Sequence, residues 1–427
     1  MSIAFLGCGW SGVLIAIRTK SLYPSADAVC IDKNLEGGLL RSEVVNGYLF
    51  DVGGSHIVFS RRRDVVEAIL GFGGEWVSKE RKAFILLNGV FVPYPFETGI
   101  HVLPPELRAK YGLSIIKALL EYRDERPRNF LDWIMKTFGR DIAEDYIIPY
   151  NEKIWKRPLD KMSADWVYIP GRLPIPSIED VAKAIAGIPV VGYKEQSIFY
   201  YPRKGGIIKQ WEAAYNYAKS LGVKFVKAEV KEVKIDRDGY TINGWLKAEK
   251  VISTLPLREA PQIFNLSEEA YKAAERLDYD SVVVIGLGLK RSAPNQHWVY
   301  APDKRVLFHR YAWISNYGGN APLNKASLIA EITVTPNQRV DIDKLIDETV
   351  QGLIELGVIG NSNEIEVAKA WYHKYGYPIY TLTHKEDVNT ITQELTEMGI
   401  ITFGRWGNWE YWNTDKIFEK ALEIKLI

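Results

Sequence analysis

The sequence predicts an α/β fold, and three observations predict it. A glycine-rich turn joins a strand to a helix at the N-terminus, a long stretch with helical periodicity follows, and a succession of apolar β-type runs comes after that. The first defines a Rossmann-like dinucleotide-binding domain, the second a helical insertion, and the third a second, antiparallel-sheet domain. At 427 residues the chain calls for two or three domains, on a scale of about 150 residues each.

Composition narrows the class further. Lys and Arg number 54 against 53 Asp and Glu, a formal charge of +1, so neither nucleic acid nor a membrane surface is expected as a partner. Hydrophobic residues make up 47 %. No window reaches the roughly 20 uninterrupted apolar residues of an integral membrane segment. Cys8 and Cys30 cannot staple a chain of this size, and no Cys/His cluster has the spacing of metal ligands. A cytoplasmic setting is expected, because Gly7 also interrupts the N-terminal apolar run too early for a signal peptide.

Residues 2–6 read as a buried strand and residues 13–18 as the start of a helix. Between them Gly7-Cys8-Gly9-Trp10-Ser11-Gly12 has the spacing GxGxxG. Gly7 permits the tight turn, Gly9 lets a pyrophosphate approach the backbone, and Gly12 lets helix and strand pack closely. The N–H groups of the turn, Ser11 included, and the helix dipole then hold the anion. Residues 28–31 read as the second strand. Asp32 closes it 20 residues after Gly12, where an acid is expected to hydrogen-bond a ribose hydroxyl.

Residues 83–87 and 90–93 are apolar runs around Asn88-Gly89, which predicts a hairpin with a type I′ turn. Over residues 104–166 apolar positions recur three and four apart, as in helices, and Pro170, Pro174 and Pro176 end the pattern. The segment 201–206 leads into an amphipathic helix through Trp211 and Tyr215. Residues 224–235 alternate as a strand, and 251–256 form a short strand entering a turn. Residues 281–289, 327–334 and 366–372 read as strands of the second sheet. With no repeat or low-complexity run, the domains interleave along one chain.

Glu36-Gly37-Gly38-Leu39-Leu40-Arg41-Ser42 resembles the second glycine pair of the two-dinucleotide-binding-domain flavoproteins, the group of amine oxidases and protoporphyrinogen oxidase. Phe50-Asp51-Val52-Gly53-Gly54-Ser55-His56 is similar to a second segment of that group. The resemblance implies FAD, with Gly38 and Leu39 at the cofactor and Gly53, Gly54 and Ser55 against its isoalloxazine ring.

Further segments carry a narrower likeness. They are Val92-Pro93-Tyr94-Pro95-Phe96, Pro149-Tyr150-Asn151-Glu152-Lys153-Ile154-Trp155, Trp298-Val299-Tyr300, Arg310 with Ser315-Asn316-Tyr317, Tyr375-Gly376-Tyr377-Pro378, and residues 404–411. Together, in this order over nearly the whole chain, they resemble the UDP-galactopyranose mutase family, especially its eukaryotic-type branch. One departure is Ser55, which stands between the glycine pair and His56.

The resemblance implies an FAD-binding domain built from residues 1–80, 191–258 and 399–427. A hairpin at 81–100, a helical segment at 101–190 and an antiparallel sheet at 259–398 make up the substrate domain. It implies Arg172 and Arg310 on the substrate diphosphate, where guanidinium forks suit phosphate, with the hydroxyls of Tyr317, Tyr377 and Tyr411 beside them. Tyr94, Asn151, Trp298 and Tyr300 would form the uridine pocket, with Gln196 on a flap, and His56 would lie beside the flavin. Val230, Gly404, Arg405 and Asn413 would complete the cofactor site.

The activity that this resemblance implies is interconversion of UDP-galactopyranose and UDP-galactofuranose. Reduced FAD would act through N5 as nucleophile on the anomeric carbon, with NADPH or NADH as candidate reductant. An oligomer is compatible with the sequence. The alternative is an FAD-dependent oxidase or desaturase of the amine oxidase or protoporphyrinogen oxidase type, which shares the segment 7–56. Mutases acting on other nucleotide sugars also remain open.

Overall fold

The structure, a computed structural model, describes residues 1–122, 125–169, 175–190, 197–319 and 321–424. A five-stranded parallel sheet has the spatial order Ile400–Thr402, Lys250–Ser253, Ser2–Leu6, Asp27–Asp32 and Lys224–Lys227. Its central strand is apolar almost throughout because both faces are covered, and the helix Trp10–Leu22 returns the chain along one of them. The three chain segments that build this sheet meet only in space.

The second sheet has seven strands in the order Ile365–Ile379, Asp278–Leu289, Ala326–Val334, Arg310–Trp313, Trp298–Tyr300, Ala83–Leu87 and Val90–Pro93. Every pairing is antiparallel except that of Trp298–Tyr300 with Ala83–Leu87. The expected hairpin is present: Asn88 and Gly89 have φ of +49° and +80°, the left-handed pair of a type I′ turn. Helices Pro105–Glu121, Phe130–Ile142, Ile148–Trp155 and Ile178–Ile185 form the helical segment. Asn129 caps the second of these by accepting from the Asp132 N–H at 2.8 Å. No helix among the described residues is long and apolar enough to cross a membrane.

Two strands differ from the sequence reading. The run 224–235 is not one strand but two, Lys224–Lys227 in the parallel sheet and Val233–Asp236 in a separate three-stranded sheet. Asn243 explains the break. Its side-chain oxygen accepts from the N–H groups of Lys231 and Glu232, and its amide nitrogen donates to the Glu229 carbonyl, so the intervening backbone is satisfied without a partner strand. The strand expected at 366–372 runs from Ile365 to Ile379, because its long partner Asp278–Leu289 pairs with it beyond a bulge.

The hairpin of Ser42–Val45 and Tyr48–Asp51 packs on the seven-stranded sheet, with its rings on glycines of the long strand. A Cβ on Gly286 would sit 2.7 Å from the Phe50 ring and 2.8 Å from Trp371, and one on Gly288 would sit 2.8 Å from Tyr48. Gly286→Ala should therefore destabilise the protein by about 1–3 kcal/mol through overpacking. Thermal unfolding tests this, and an unchanged midpoint would show that the joint yields without cost.

Candidate active site

A cavity of about 580 Å³ is lined by turns at the carboxyl ends of the parallel strands, by the helix Ile148–Trp155 and by the seven-stranded sheet. Its first end is built from backbone. Gly7 has φ of +90°, and a Cβ on Gly12 would lie 1.9 Å from the Gly7 carbonyl oxygen, so helix and turn touch only because that atom is missing. The helix Trp10–Leu22 starts at Gly9 with no side-chain cap, which leaves N–H groups of its first turn for an anion. Asp32 closes the second strand. It accepts from the Cys8 N–H at 2.8 Å and from those of Asn34 and Leu35 at 2.9 Å, which fixes its carboxylate at the cavity edge. A Cβ on Gly53 would lie 2.1 Å from the Leu39 carbonyl oxygen, so the turns at 36–40 and 53–56 are in direct backbone contact. These features fit a dinucleotide of the FAD kind, with its pyrophosphate on the first turn and its ribose at Asp32.

The second end is built from side chains. Arg310 and Glu331 are cross-strand neighbours. Their side chains make a two-pronged ion pair, Nε to Oε1 at 3.0 Å and Nη2 to Oε2 at 2.6 Å. Glu331 also accepts from the Ser55 N–H and hydroxyl, each at 3.1 Å, and from the Tyr377 hydroxyl at 3.3 Å. Burial alone would push the Glu331 carboxyl up, but the Arg310 guanidinium and these donors hold it at about 2. His56 is pushed down to about 4 by burial, helped by the Arg405 and Arg310 charges. It is neutral near pH 7, and its Nε2, 3.2 Å from the Gly53 carbonyl, is the protonated nitrogen.

Of the residues that the sequence suggests, Gly7, Gly9, Ser11, Asp32, Gly38, Leu39, Gly53, Gly54, Ser55, His56, Tyr94, Asn151, Trp298, Tyr300, Arg310, Tyr377, Arg405, Tyr411 and Asn413 line this cavity. Four others do not. Gly12 packs beneath the first turn, and Gly404 packs on Ser11. Val230 is half-buried against the apolar cluster that includes Leu6, Ile31 and Val251, and the fully buried ring of Tyr317 lies behind the wall among Phe199, Tyr201 and His297. Arg172 and Gln196 fall outside the described residues. The Asn151 amide is engaged within its own helix, donating to the Ile147 carbonyl at 2.8 Å and accepting from Trp155 Nε1 at 2.9 Å.

The sequence reading missed Glu331, His309, Tyr150, Trp166 and Arg81, all of which line the cavity. Glu331 had a signal, as the one charge in the apolar strand Ala326–Val334. Tyr150 stands in the segment 149–155 that carries the resemblance, whereas His309, Trp166 and Arg81 had no signal that separates them from ordinary packing residues.

A glycine-built dinucleotide cradle that opens onto a second sheet bearing buried charge is the architecture of a two-domain flavoprotein. A family model of flavin containing amine oxidoreductases matches residues 36–356, and the chain belongs to that family. A crystal structure of reduced UDP-galactopyranose mutase is similar over 99 % of this chain and 92 % of its own, with a TM-score of 0.89 and 25 % identity. A putative protoporphyrinogen oxidase from Exiguobacterium sp. 255-15 gives 0.73 at 16 % identity, covering 99 % of both chains. A redesigned putrescine oxidase gives 0.62 at 13 % identity over 99 % of this chain and 97 % of its own. These last two share the fold.

Glu331→Gln should lower stability at pH 7 by about 3 kcal/mol, because the Arg310 charge is left buried without its partner. The Glu331 value is depressed from 4.5 to about 2, so its contribution is present above about pH 4.5 and is lost as the pH falls towards 2. Denaturant unfolding should therefore show the gap between the two proteins narrowing across that interval. A gap of constant size, or none at pH 7, would remove Glu331 from this role.

Proposed function

We propose that the protein is a flavin-dependent mutase that interconverts UDP-galactopyranose and UDP-galactofuranose. The observation that carries this reading is the wall opposite the cofactor cradle, where Arg310, Tyr377 and Tyr411 line the cavity. Arg310 is oriented by Glu331, and its Nη1 has no partner among the described residues. Such a wall suits an oxygen-rich anion. An apolar amine or tetrapyrrole would leave that nitrogen of Arg310 unsatisfied. The likeness to UDP-galactopyranose mutase, at a TM-score of 0.89, supports the same reading.

FAD, reduced by NADPH or NADH, supplies a nucleophilic nitrogen, N5, for the anomeric carbon. The chain's own residues hold the parts of the substrate. Arg310 donates to the diphosphate, with Tyr377 and Tyr411 beside it, and this stabilises the charge that develops on the leaving group. Tyr94 and Tyr300, 5.1 Å apart between ring centroids, offer faces for the base, with Trp298 and Asn151 alongside. Neutral His56 donates to the Gly53 carbonyl and steadies the turn beside the flavin.

Protein reduced with dithionite under anaerobic conditions should convert UDP-galactofuranose to UDP-galactopyranose, followed by chromatography, and oxidised protein should not. No conversion by protein with confirmed bound and reduced FAD would sink the reading. Arg310→Lys keeps the charge but loses the fork, and should lower turnover by about 100-fold with flavin retained. A near-normal rate would take the diphosphate away from Arg310.

A further inference from the structure

A buried lysine stands between the helix Ile148–Trp155 and the seven-stranded sheet. Lys153 is 8 % exposed and does not line the cavity, although Tyr150, Asn151, Ile154 and Trp155 around it do. Its Nζ donates to the carbonyls of Ala301 and Asp303, both at 2.7 Å, and its own carbonyl accepts from the Thr333 hydroxyl at 2.8 Å. One residue therefore joins the helix to the turn after the strand Trp298–Tyr300 and to the strand Ala326–Val334.

Burying an ammonium removes its hydration, and lysine is almost never buried without an ionic partner. Burial pushes the Lys153 ammonium down to about 7, against the opposing pull of Asp303. The Asp303 carboxylate is itself bound by Arg305, through Nε at 3.1 Å and Nη2 at 2.6 Å. Charged or neutral, the amine keeps hydrogens for both carbonyls, which an apolar side chain of the same length cannot supply. An apolar residue would fill this space at lower cost, so what the lysine adds is the tie.

The tie bears on one end of the cavity. Tyr300, the last residue of a three-residue strand, has its ring centroid 5.5 Å from that of Tyr150 on the helix and 5.1 Å from that of Tyr94. Just beyond it the Ala301 N–H donates to the His309 carbonyl at 2.9 Å, and the carbonyls of Ala301 and Asp303 are met by Lys153. We propose that Lys153 is a positioning residue for the base of the ligand, acting by tying the turn after Tyr300 to the helix that carries Tyr150. The inference rests on the nucleotide-sugar reading above.

Calorimetric titration of the FAD-loaded protein with UDP tests it. Lys153→Met keeps the length of the side chain and removes its donors. It should weaken UDP about tenfold and raise KM for UDP-galactofuranose by a similar factor, with turnover at saturation changed by about twofold or less. Thr333→Val removes only the hydroxyl on the Lys153 carbonyl and should weaken UDP about threefold, which carries the test if the Met variant fails to hold flavin. In a Tyr300→Ala background the ring to be positioned is absent, so the effect of either substitution should shrink to about twofold or less. A residue that served stability alone would not tell these backgrounds apart. Unchanged UDP affinity in the Met variant, or in the Val variant where the Met variant holds no flavin, overturns the inference and leaves the mutase reading standing. A loss that persists in full in Tyr300→Ala, or a fall in turnover without a rise in KM, does the same. Failure of the unaltered, FAD-loaded protein to bind UDP overturns both.

Discussion

The carboxylate of Glu331 is the point on which the two halves of the site depend. It accepts from the Ser55 backbone and hydroxyl on the cofactor side, and from Arg310 and Tyr377 on the second sheet. Five donors on one buried carboxylate offset the loss of hydration that burial would otherwise impose. The turn that carries Gly53, Gly54 and His56 is therefore positioned by a residue nearly 280 positions later in the chain, since Ser55 and Glu331 are 276 apart. His373 adds a second tie at the same turn, its Nε2 lying 2.7 Å from the Val52 carbonyl.

Close backbone contact does the same work on the cofactor side. The turn at 7–12 meets its own helix because Gly12 has no Cβ, and the turns at 36–40 and 53–56 meet because Gly53 has none. The Trp211 indole then donates to the Cys8 carbonyl at 2.8 Å, which locks the helix Ile208–Ser220 beneath the first turn. The flavin end is thus shaped by main chain and the substrate end by side chains. This division is consistent with a family whose members share a cofactor and differ in what they act on.

That division also explains what could be read from the sequence. The cradle is local: a strand, GxGxxG, a helix, a strand and Asp32 lie within 32 residues, so spacing alone exposes it. The Asn88-Gly89 hairpin is legible for the same reason. The break after Lys227 was not legible, because it depends on the Asn243 side chain reaching back across a turn. At the other end, the resemblance singles out Arg310 and Tyr377, which line the cavity, whereas Glu331 and His309 have neighbours that only the sheet register and the packing of Ile148–Trp155 bring together. Tyr317 occurs in the same sequence motif as Arg310, yet the turn that follows the strand Arg310–Trp313 carries its ring behind the wall.

The pairing of Arg310 with Glu331 bears on how an anion would be held. A guanidinium neutralised by a carboxylate adds little net attraction, and what the pair provides is direction: the fork is locked by Nε and Nη2. On the proposed reading Arg310, with its orientation fixed in this way, sets the position of the diphosphate.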